Sequence, residues 1–338
     1  MGVTETALVV GGGSIGRRHT RNLQRLGIKV AVVDPVAEVR TELATELGVK
    51  TFAELSNGLD SENPDIAVVC TPNRFHIHIA AEAARAGCHL FIEKPLSDRM
   101  DGVAELEAVV SEQDLISLVG CNLRFHPEIK KIHKLLQNDV IGPIVAARIE
   151  VGSYLPDWFP DTDYRESYSA RKDLGGGVIL DCIHEINYAR WFFDEFHTVS
   201  AMAGQQSQLE IETNDVAGIL AKTSKGTICE FHLDYVQREY SRSCHIIGEE
   251  GTIRWSWSDE QVEWYVSKED TWYSFDRPGD WTMNDMYVDE MEHFLSSVQT
   301  GEETICPISC GWNDLAVALA ARKSATTGRH VSPATLRE

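Results

Sequence analysis

The chain is short of positive charge: its 338 residues include 31 Lys or Arg against 52 Asp or Glu, a formal net charge of −21. An average surface of that sign repels a phosphate backbone and an anionic membrane face, so nucleic acid is not an expected partner. A local basic pocket for a phosphorylated or nucleotide-linked small molecule stays open. Long apolar runs are missing too. No stretch reaches the roughly 18 uninterrupted apolar residues of a membrane span. The opening MGVTETALVV has no basic segment leading into a long apolar one. A soluble, cytoplasmic protein without membrane attachment is expected. The eight cysteines (Cys70, Cys88, Cys121, Cys182, Cys229, Cys244, Cys306 and Cys310) form no C-x-x-C and no dense secreted-type framework, so reduced thiols in core positions are expected. Internal repeats and low-complexity segments are absent.

What is present is a globular composition, 43% hydrophobic and 25% charged, over a length that suits two domains. From residue 6 to about 120, apolar runs (ALVV at 7–10, KVAVVD at 29–34, DIAVVC at 65–70, HLFI at 89–92, LISLVG at 115–120) alternate with helical patterns near 14–26, 36–47, 74–86 and 99–113. Continuous apolar strands between amphipathic helices mark a parallel sheet covered on both faces. The fold class is therefore α/β, with an N-terminal doubly wound Rossmann domain over 1–122.

The rhythm then changes. A helix is expected at HPEIKKIHKLLQN, a strand at PIVAARIEVGSY, a long polar and aromatic loop through LPDWFPDTDYRESYSARKDLGGG, and one helix over about 180–193. Strand-like stretches follow at 197–204, 215–223, 226–235, 243–248, 251–257 and 261–266, joined by turns such as SKG and GEEG, with helices near 285–299 and 310–325. This predicts an α+β domain over 123–338 with a large, open, mostly antiparallel sheet. Trp255, Trp257, Trp264 and Trp272 on these strands are expected to cover a sheet face, with a subunit interface as one option. An open sheet of this kind leaves a face to cover, and a homodimer or homotetramer is expected.

Gly11-Gly12-Gly13-Ser14-Ile15-Gly16 fits G-x-G-x-x-G between the first strand and first helix. Gly11 serves the tight turn, Gly13 the approach of a pyrophosphate, and Gly16 helix–strand packing. Asp34 ends the second strand, where an acid accepts hydrogen bonds from the adenosine ribose and repels a 2′-phosphate. NAD is the expected cofactor. Arg17, Arg18 or Arg40 beside a 2′-phosphate is the NADP alternative.

Two further strand ends carry motifs, Thr71-Pro72-Asn73-Arg74-Phe75-His76 and Glu93-Lys94-Pro95, at the carboxyl edge where ligands bind such sheets. His76 and His78 form H-x-H, but positions two apart on a helix do not face each other, and no metal is expected. The order G-x-G-x-x-G, T-P-N-x-x-H, E-K-P resembles the glucose-fructose oxidoreductase, inositol dehydrogenase and MocA family over nearly the whole chain. The resemblance implies that Lys94 is the catalytic lysine, that Glu93 and Pro95 shape its turn, and that Thr71, Pro72, Asn73 and His76 line the cofactor.

In the second domain, GGGVILDCIHEINY puts Asp181, His184 and either Asn187 or Tyr188 on one helical face at i, i+3 and i+6 or i+7 spacing. The resemblance implies that His184 is the acid–base residue. The chain departs from many members in having D-x-x-H rather than D-x-x-x-H, and Asn187 where many carry an acid. For Asp181, a catalytic role and a helix-capping role both stay open. His184-Glu185 is no zinc-protease motif, since position 188 is tyrosine. Asn122, Arg124 and His126 follow the last Rossmann strand and are expected at the interdomain cleft. The resemblance places substrate contacts near there; a hinge salt bridge is the other reading of Arg124. Trp158, Tyr164, Arg165, Tyr168 and Lys172 in the long loop combine aromatic faces and hydrogen-bonding groups suited to sugars and nucleotides, or to an oligomer contact. The expected activity is hydride transfer between NAD and a secondary hydroxyl or ketone carbon of a sugar, nucleotide sugar or polyol. An inositol-type dehydrogenase and a non-catalytic NAD-binding sensor are the alternatives.

Overall fold

The structure is a computed structural model of the 338-residue chain, and it describes residues 6–158 and 163–337. Residues 1–5, residues 159–162 of the long loop and residue 338 lie outside the described residues. The chain forms two compact units, Met1–Asn122 with Thr282–Trp312, and Leu123–Trp281 with Asn313–Glu338.

In the first unit the strands are β1 (Thr6–Val10), β2 (Lys29–Val33), β3 (Lys50–Phe52), β4 (Ile66–Val69), β5 (His89–Glu93) and β6 (Ser117–Gly120). They pair in parallel in the order β3-β2-β1-β4-β5-β6. The helices are α1 (Ser14–Arg25), α2 (Ala37–Leu47), α3 (Leu55–Glu62), α4 (His76–Arg85) and α5 (Val103–Glu112). This is the doubly wound sheet expected, with β3 and α3 too short and too polar to stand out in the sequence. Its strands read as continuous apolar runs because both faces are covered.

The segment 282–312 belongs to this unit for a packing reason. Its helix begins at the Thr282–Asp285 capping box, and its Met291 and Phe294 join Val9, Leu23, Val32, Val68, Phe91 and Leu118 in one buried cluster. The domain expected over 123–338 is therefore not contiguous in packing. Chain order gives no sign of a late helix returning to an early core.

In the second unit, α6 (Pro127–Gln137) precedes β7 (Ile144–Gly152), α7 (Val178–Asp181), α8 (Ile183–Phe193), β8 (Phe196–Gly204), β9 (Val216–Thr223), β10 (Ile228–Asp234), β11 (Ser241–Gly248), β12 (Gly251–Ser256), β13 (Gln261–Val266) and β14 (Thr271–Asp276). Two later helices are α9 (Met283–Thr300), the returning one, and α10 (Ile308–Thr327). The eight-stranded sheet runs β14-β13-β12-β11-β7-β10-β9-β8, antiparallel except where β7 meets β10. The large, mostly antiparallel sheet is as expected.

Period-two alternation sets its faces. Ala147, Ile149 and Val151 of β7, Cys229, Phe231 and Leu233 of β10, and Ile219 and Ala221 of β9 are buried, and α8 packs on β7 while α6 packs on β13 and β14. The opposite face shows Met202 at 86% exposure, with Leu220 and Ile228 half exposed among Lys222, Glu230 and His232. The tryptophans divide between the two faces. Trp255 is buried, and Trp264 stacks on Tyr273 under Lys131 of α6, whereas Trp272 lies on the outer face beneath Arg254.

Behind Trp255 is a buried ion pair. Glu128 of α6 accepts from Trp255 Nε1 at 2.6 Å and from Arg277 at 3.0 and 3.1 Å. His126 packs against Trp255, Trp257 and Trp281; burial first, then Arg277, Arg242 and Lys130, bring its imidazole down to about 3, so the ring there is uncharged. Glu128 is fully buried and Arg277 nearly so, and removing one partner of such a pair leaves the other charge uncompensated. Glu128→Ala is expected to cost about 3–5 kcal/mol of stability, read as a lowered thermal midpoint; an unchanged midpoint would show that the pair is not coupled to the fold.

Candidate active site

The nucleotide end of the first unit is assembled by close backbone approach. Gly11 has φ +103°, and a Cβ there would stand 2.7 Å from the Cys70 carbonyl oxygen. A Cβ on Gly16 would fall 1.9 Å from the Gly11 oxygen, which lets α1 meet β1. At Gly13, with φ −69°, a Cβ meets nothing within 4 Å, so the space before the α1 N-terminus is open. Ser14 begins that helix, and Ile15 packs against the sheet core. Asp34 is buried: Oδ2 accepts from Gly12 N–H at 2.8 Å and Oδ1 from Val36 N–H at 2.9 Å, which fixes the carboxylate beside the glycine turn.

The arginines that could receive a 2′-phosphate have other partners. Arg17 pairs with Glu42 and Glu46, Arg40 donates to the Asp34 and Pro35 carbonyls, and Arg18 lies over the Tyr287 ring. Thr71, at the end of β4, has a buried hydroxyl without a hydrogen-bond partner, an unmet polar group of the kind a bound ligand satisfies. The residues present therefore fit a dinucleotide without a 2′-phosphate.

Pro72 leads into the 3₁₀ turn of buried Asn73. His76 opens α4 with its two ring nitrogens 2.9 Å from the Pro95 carbonyl and 2.7 Å from the Thr71 carbonyl. It thus ties the T-P-N turn to the E-K-P turn. Burial pulls its imidazole down, against the carbonyl hydrogen bonds, which favour the charged ring. The Lys94–Pro95 bond is cis. Glu93 is buried at the end of β5; it accepts the Lys94 backbone N–H at 3.2 Å and faces His19 Nε2 at 2.7 Å. His19 was not singled out from the sequence, although it stands one turn past the glycine motif. Asn122 is buried at the end of this unit and hydrogen-bonds Tyr287.

In the second unit the single helix expected over 180–193 is broken. Three glycines deliver the chain into the short α7, Cys182 leaves helical geometry at ψ 29°, and α8 restarts at Ile183. Asp181 and His184 therefore do not share one continuous helical face, contrary to expectation. Asp181 does not cap α8 either, because the N-cap is Cys182 and no side chain closes it. Instead Asp181 accepts a hydrogen bond from Tyr235 at the end of β10, a phenol fully buried and held well above its usual range by that burial and by the Asp181 charge. Tyr235 was also missed; its partner is 54 positions away in sequence, and only the fold brings them together.

His184 is buried on the first turn of α8, beside Glu185, whose buried carboxylate pairs with Arg242 at 2.8 Å. Further along α8, Asn187 accepts from Arg124 Nε at 2.8 Å and donates to Asp314 at 2.6 Å, while Arg190 joins Asp314 and Glu195. Arg124 also lies over the Trp191 ring. The candidate substrate residues thus separate. Arg124 and Asn187 share one buried network. Trp158 donates to Ser153 and meets Tyr235 edge-on. Tyr164 and Arg165 reach the 205–215 segment, the first accepting from Glu210 N–H and the second pairing with Asp163 and Glu210. Lys172 is exposed, its backbone bonded to Glu212, and Tyr168 is half-buried in the preceding turn.

The doubly wound sheet, the glycine turn with its fixed acid and the ordered E-K-P turn define a dinucleotide-dependent oxidoreductase. Comparison with known proteins agrees. The oxidoreductase family's NAD-binding Rossmann model matches residues 6–121 and the GFO/IDH/MocA C-terminal domain model residues 129–254, so most of the chain is covered. The chain belongs to the GFO/IDH/MocA family and is an NAD-binding oxidoreductase. It is 27% identical to the myo-inositol 2-dehydrogenase of Thermotoga maritima, over 96% of this chain and 97% of that one. It is 30% identical to the levoglucosan dehydrogenase of Pseudarthrobacter phenanthrenivorans, where the match spans 57% of this chain and 52% of the relative. The solved structure of GenD2 from gentamicin A biosynthesis in complex with NAD superposes with a TM-score of 0.84 at 25% identity, covering 98% and 97% of the two chains.

The glycine geometry separates two effects of adding one methyl group. Gly16→Ala is expected to lower stability by about 1–3 kcal/mol or more, because backbone must move. Gly13→Ala is expected to leave the melting temperature unchanged while weakening NAD binding about tenfold or more, followed by tryptophan fluorescence quenching. Wild-type NAD affinity in Gly13→Ala would remove the glycine turn from the binding site.

Proposed function

We propose that the chain oxidises a secondary hydroxyl of a sugar, nucleotide sugar or related polyol, or reduces the matching ketone, with Lys94 and His184 as catalytic residues and Asp181 supporting them. The observation that carries this proposal is the Glu93-Lys94-Pro95 turn, pinned by His19 through Glu93 and by His76 through Pro95, which fixes the lysine backbone at the carboxyl edge of the sheet. Bound NAD supplies the hydride acceptor.

Lys94 directs its ammonium to the substrate oxygen and stabilises the negative charge that grows there as the proton leaves. His184 takes that proton, and returns it in the reverse direction. Positioned general acid–base groups of this kind contribute about 10²- to 10⁴-fold. The Asp181 carboxylate, held by Tyr235, supports this proton transfer. Gly11, Gly13, Ser14, Ile15, Gly16, Thr71, Pro72, Asn73 and His76 hold the cofactor, and Asp34 takes the ribose hydroxyls. Asn122, Arg124, Trp158, Tyr168 and Lys172 supply polar and aromatic contacts to a polyhydroxylated substrate, with Asn187 orienting Arg124.

The relatives' names support the substrate class, since levoglucosan is an anhydro-sugar and myo-inositol a polyol. The proposed working state is a homodimer or homotetramer in the cytoplasm. Support comes from the outer sheet face carrying Met202, Leu220, Ile228 and Trp272, and from the cysteines, none of which is disulfide-bonded among the described residues. No helix among the described residues is long and apolar enough to cross a membrane.

Absorbance at 340 nm with a panel including levoglucosan, myo-inositol and nucleotide sugars tests the activity. Lys94→Ala is expected to lower kcat at least about 10²-fold while NAD affinity stays intact; undiminished turnover would remove the lysine from the chemistry. NAD is expected to give the lower KM, and a preference for NADP would overturn the role of Asp34. Met202→Asp is expected to shift the oligomer toward monomer in light scattering; an unchanged mass would place the interface elsewhere.

A further inference from the structure

We infer that His19 is a positioning residue for Lys94 and acts through Glu93, an inference that rests on Lys94 being catalytic. His19 lies on α1, one turn beyond Gly16, and is fully buried. Its ring is set by Phe91 and Tyr287, with centroids at 4.9 and 6.1 Å. Nε2 stands 2.7 Å from Glu93 Oε1, while Glu93 Oε2 takes the Lys94 backbone N–H. A carboxylate accepts, so Nε2 donates; Nδ1 is buried without a hydrogen-bond partner.

The surroundings leave room for this one arrangement. Gly120, at the end of β6, has no side chain where a Cβ would stand 3.3 Å from the Glu93 carboxyl. Glu290, one turn after Tyr287 on α9, is fully buried, and neither of its carboxyl oxygens has a hydrogen-bond partner. Burial, reinforced by the charge of Glu93, pushes Glu290 well above the usual carboxylate range.

Apolar packing could join α1 to β5 without a buried polar pair. What the pair adds is direction. Rotating the Glu93 side chain would take the acceptor from the buried His19 Nε2–H and break the contact to the Lys94 backbone N–H. One rotamer of Glu93 is therefore enforced, and with it the backbone from which the lysine departs. The helix that faces the pyrophosphate and the turn that carries the lysine are coupled by a single side-chain bridge.

The test compares His19→Leu, His19→Gln, Lys94→Ala and His19→Leu/Lys94→Ala as full chains, using the best substrate of the panel above. Glutamine returns an amide N–H near the position of Nε2. His19→Leu is expected to lower kcat about 10²-fold, the scale of a 1 Å misplacement, with NAD affinity within about threefold. His19→Gln should recover most of that loss. In the Lys94→Ala background the leucine should change turnover less than about twofold, because residues acting through one another are not additive. A wild-type kcat in folded His19→Leu, or the same fold-loss in both backgrounds, overturns the inference. Full turnover in Lys94→Ala overturns the lysine assignment itself, and the inference falls with it, by a different variant. If His19→Leu does not fold, His19→Asn, too short to reach Glu93, replaces it with the same expectations.

Discussion

A Cβ on Gly16 of α1 would fall 1.9 Å from the Gly11 carbonyl oxygen, and the nucleotide end is built around that close approach. No side chain fits there, so α1 lies directly against the carboxyl edge of the sheet. That contact opens the space in front of Gly13 and places Asp34 where it bonds Gly12 N–H. It also brings His19 to the end of β5. A motif usually explained by the needs of a pyrophosphate therefore has a second consequence. It sets the distance between the cofactor helix and the strand that ends in the lysine.

Much of this was legible in the sequence because it rests on local pattern. Continuous apolar runs separated by helical periodicity encode a parallel sheet, and the turn motifs sit where strand ends require them. Residues 282–312 were not legible as part of the first unit, because the apolar spacing of Met291 and Phe294 says that a face is buried and not against what. The break at Cys182 was also hidden. The run VILDCIHEINY holds no Gly or Pro to mark an interruption, and the chain enters it from the Gly175–Gly177 turn, with Gly177 at φ +115°. Tyr235 and Glu128 needed the sheet to be assembled, since their partners are distant in sequence.

Asn187 shows how composition and charge count can be reconciled inside a core. Many relatives were expected to carry an acid at this position. Here its neighbour on one side is the Asp314 carboxylate, which accepts from the amide, and on the other the Arg124 guanidinium, which donates to it. An amide can accept from a cation and donate to an anion at once, which a carboxylate cannot, and those two partners set its orientation. With Arg190 bonded to both Asp314 and Glu195, the network holds two guanidiniums, two carboxylates and one neutral bridge. A carboxylate at 187 would face Asp314 directly and leave a third negative charge in a buried setting, where like charges repel strongly. The asparagine is therefore explained by the acid on α10. Since Asn187 lies one turn after His184 on α8, the same bridge holds the helix that carries the proposed proton acceptor.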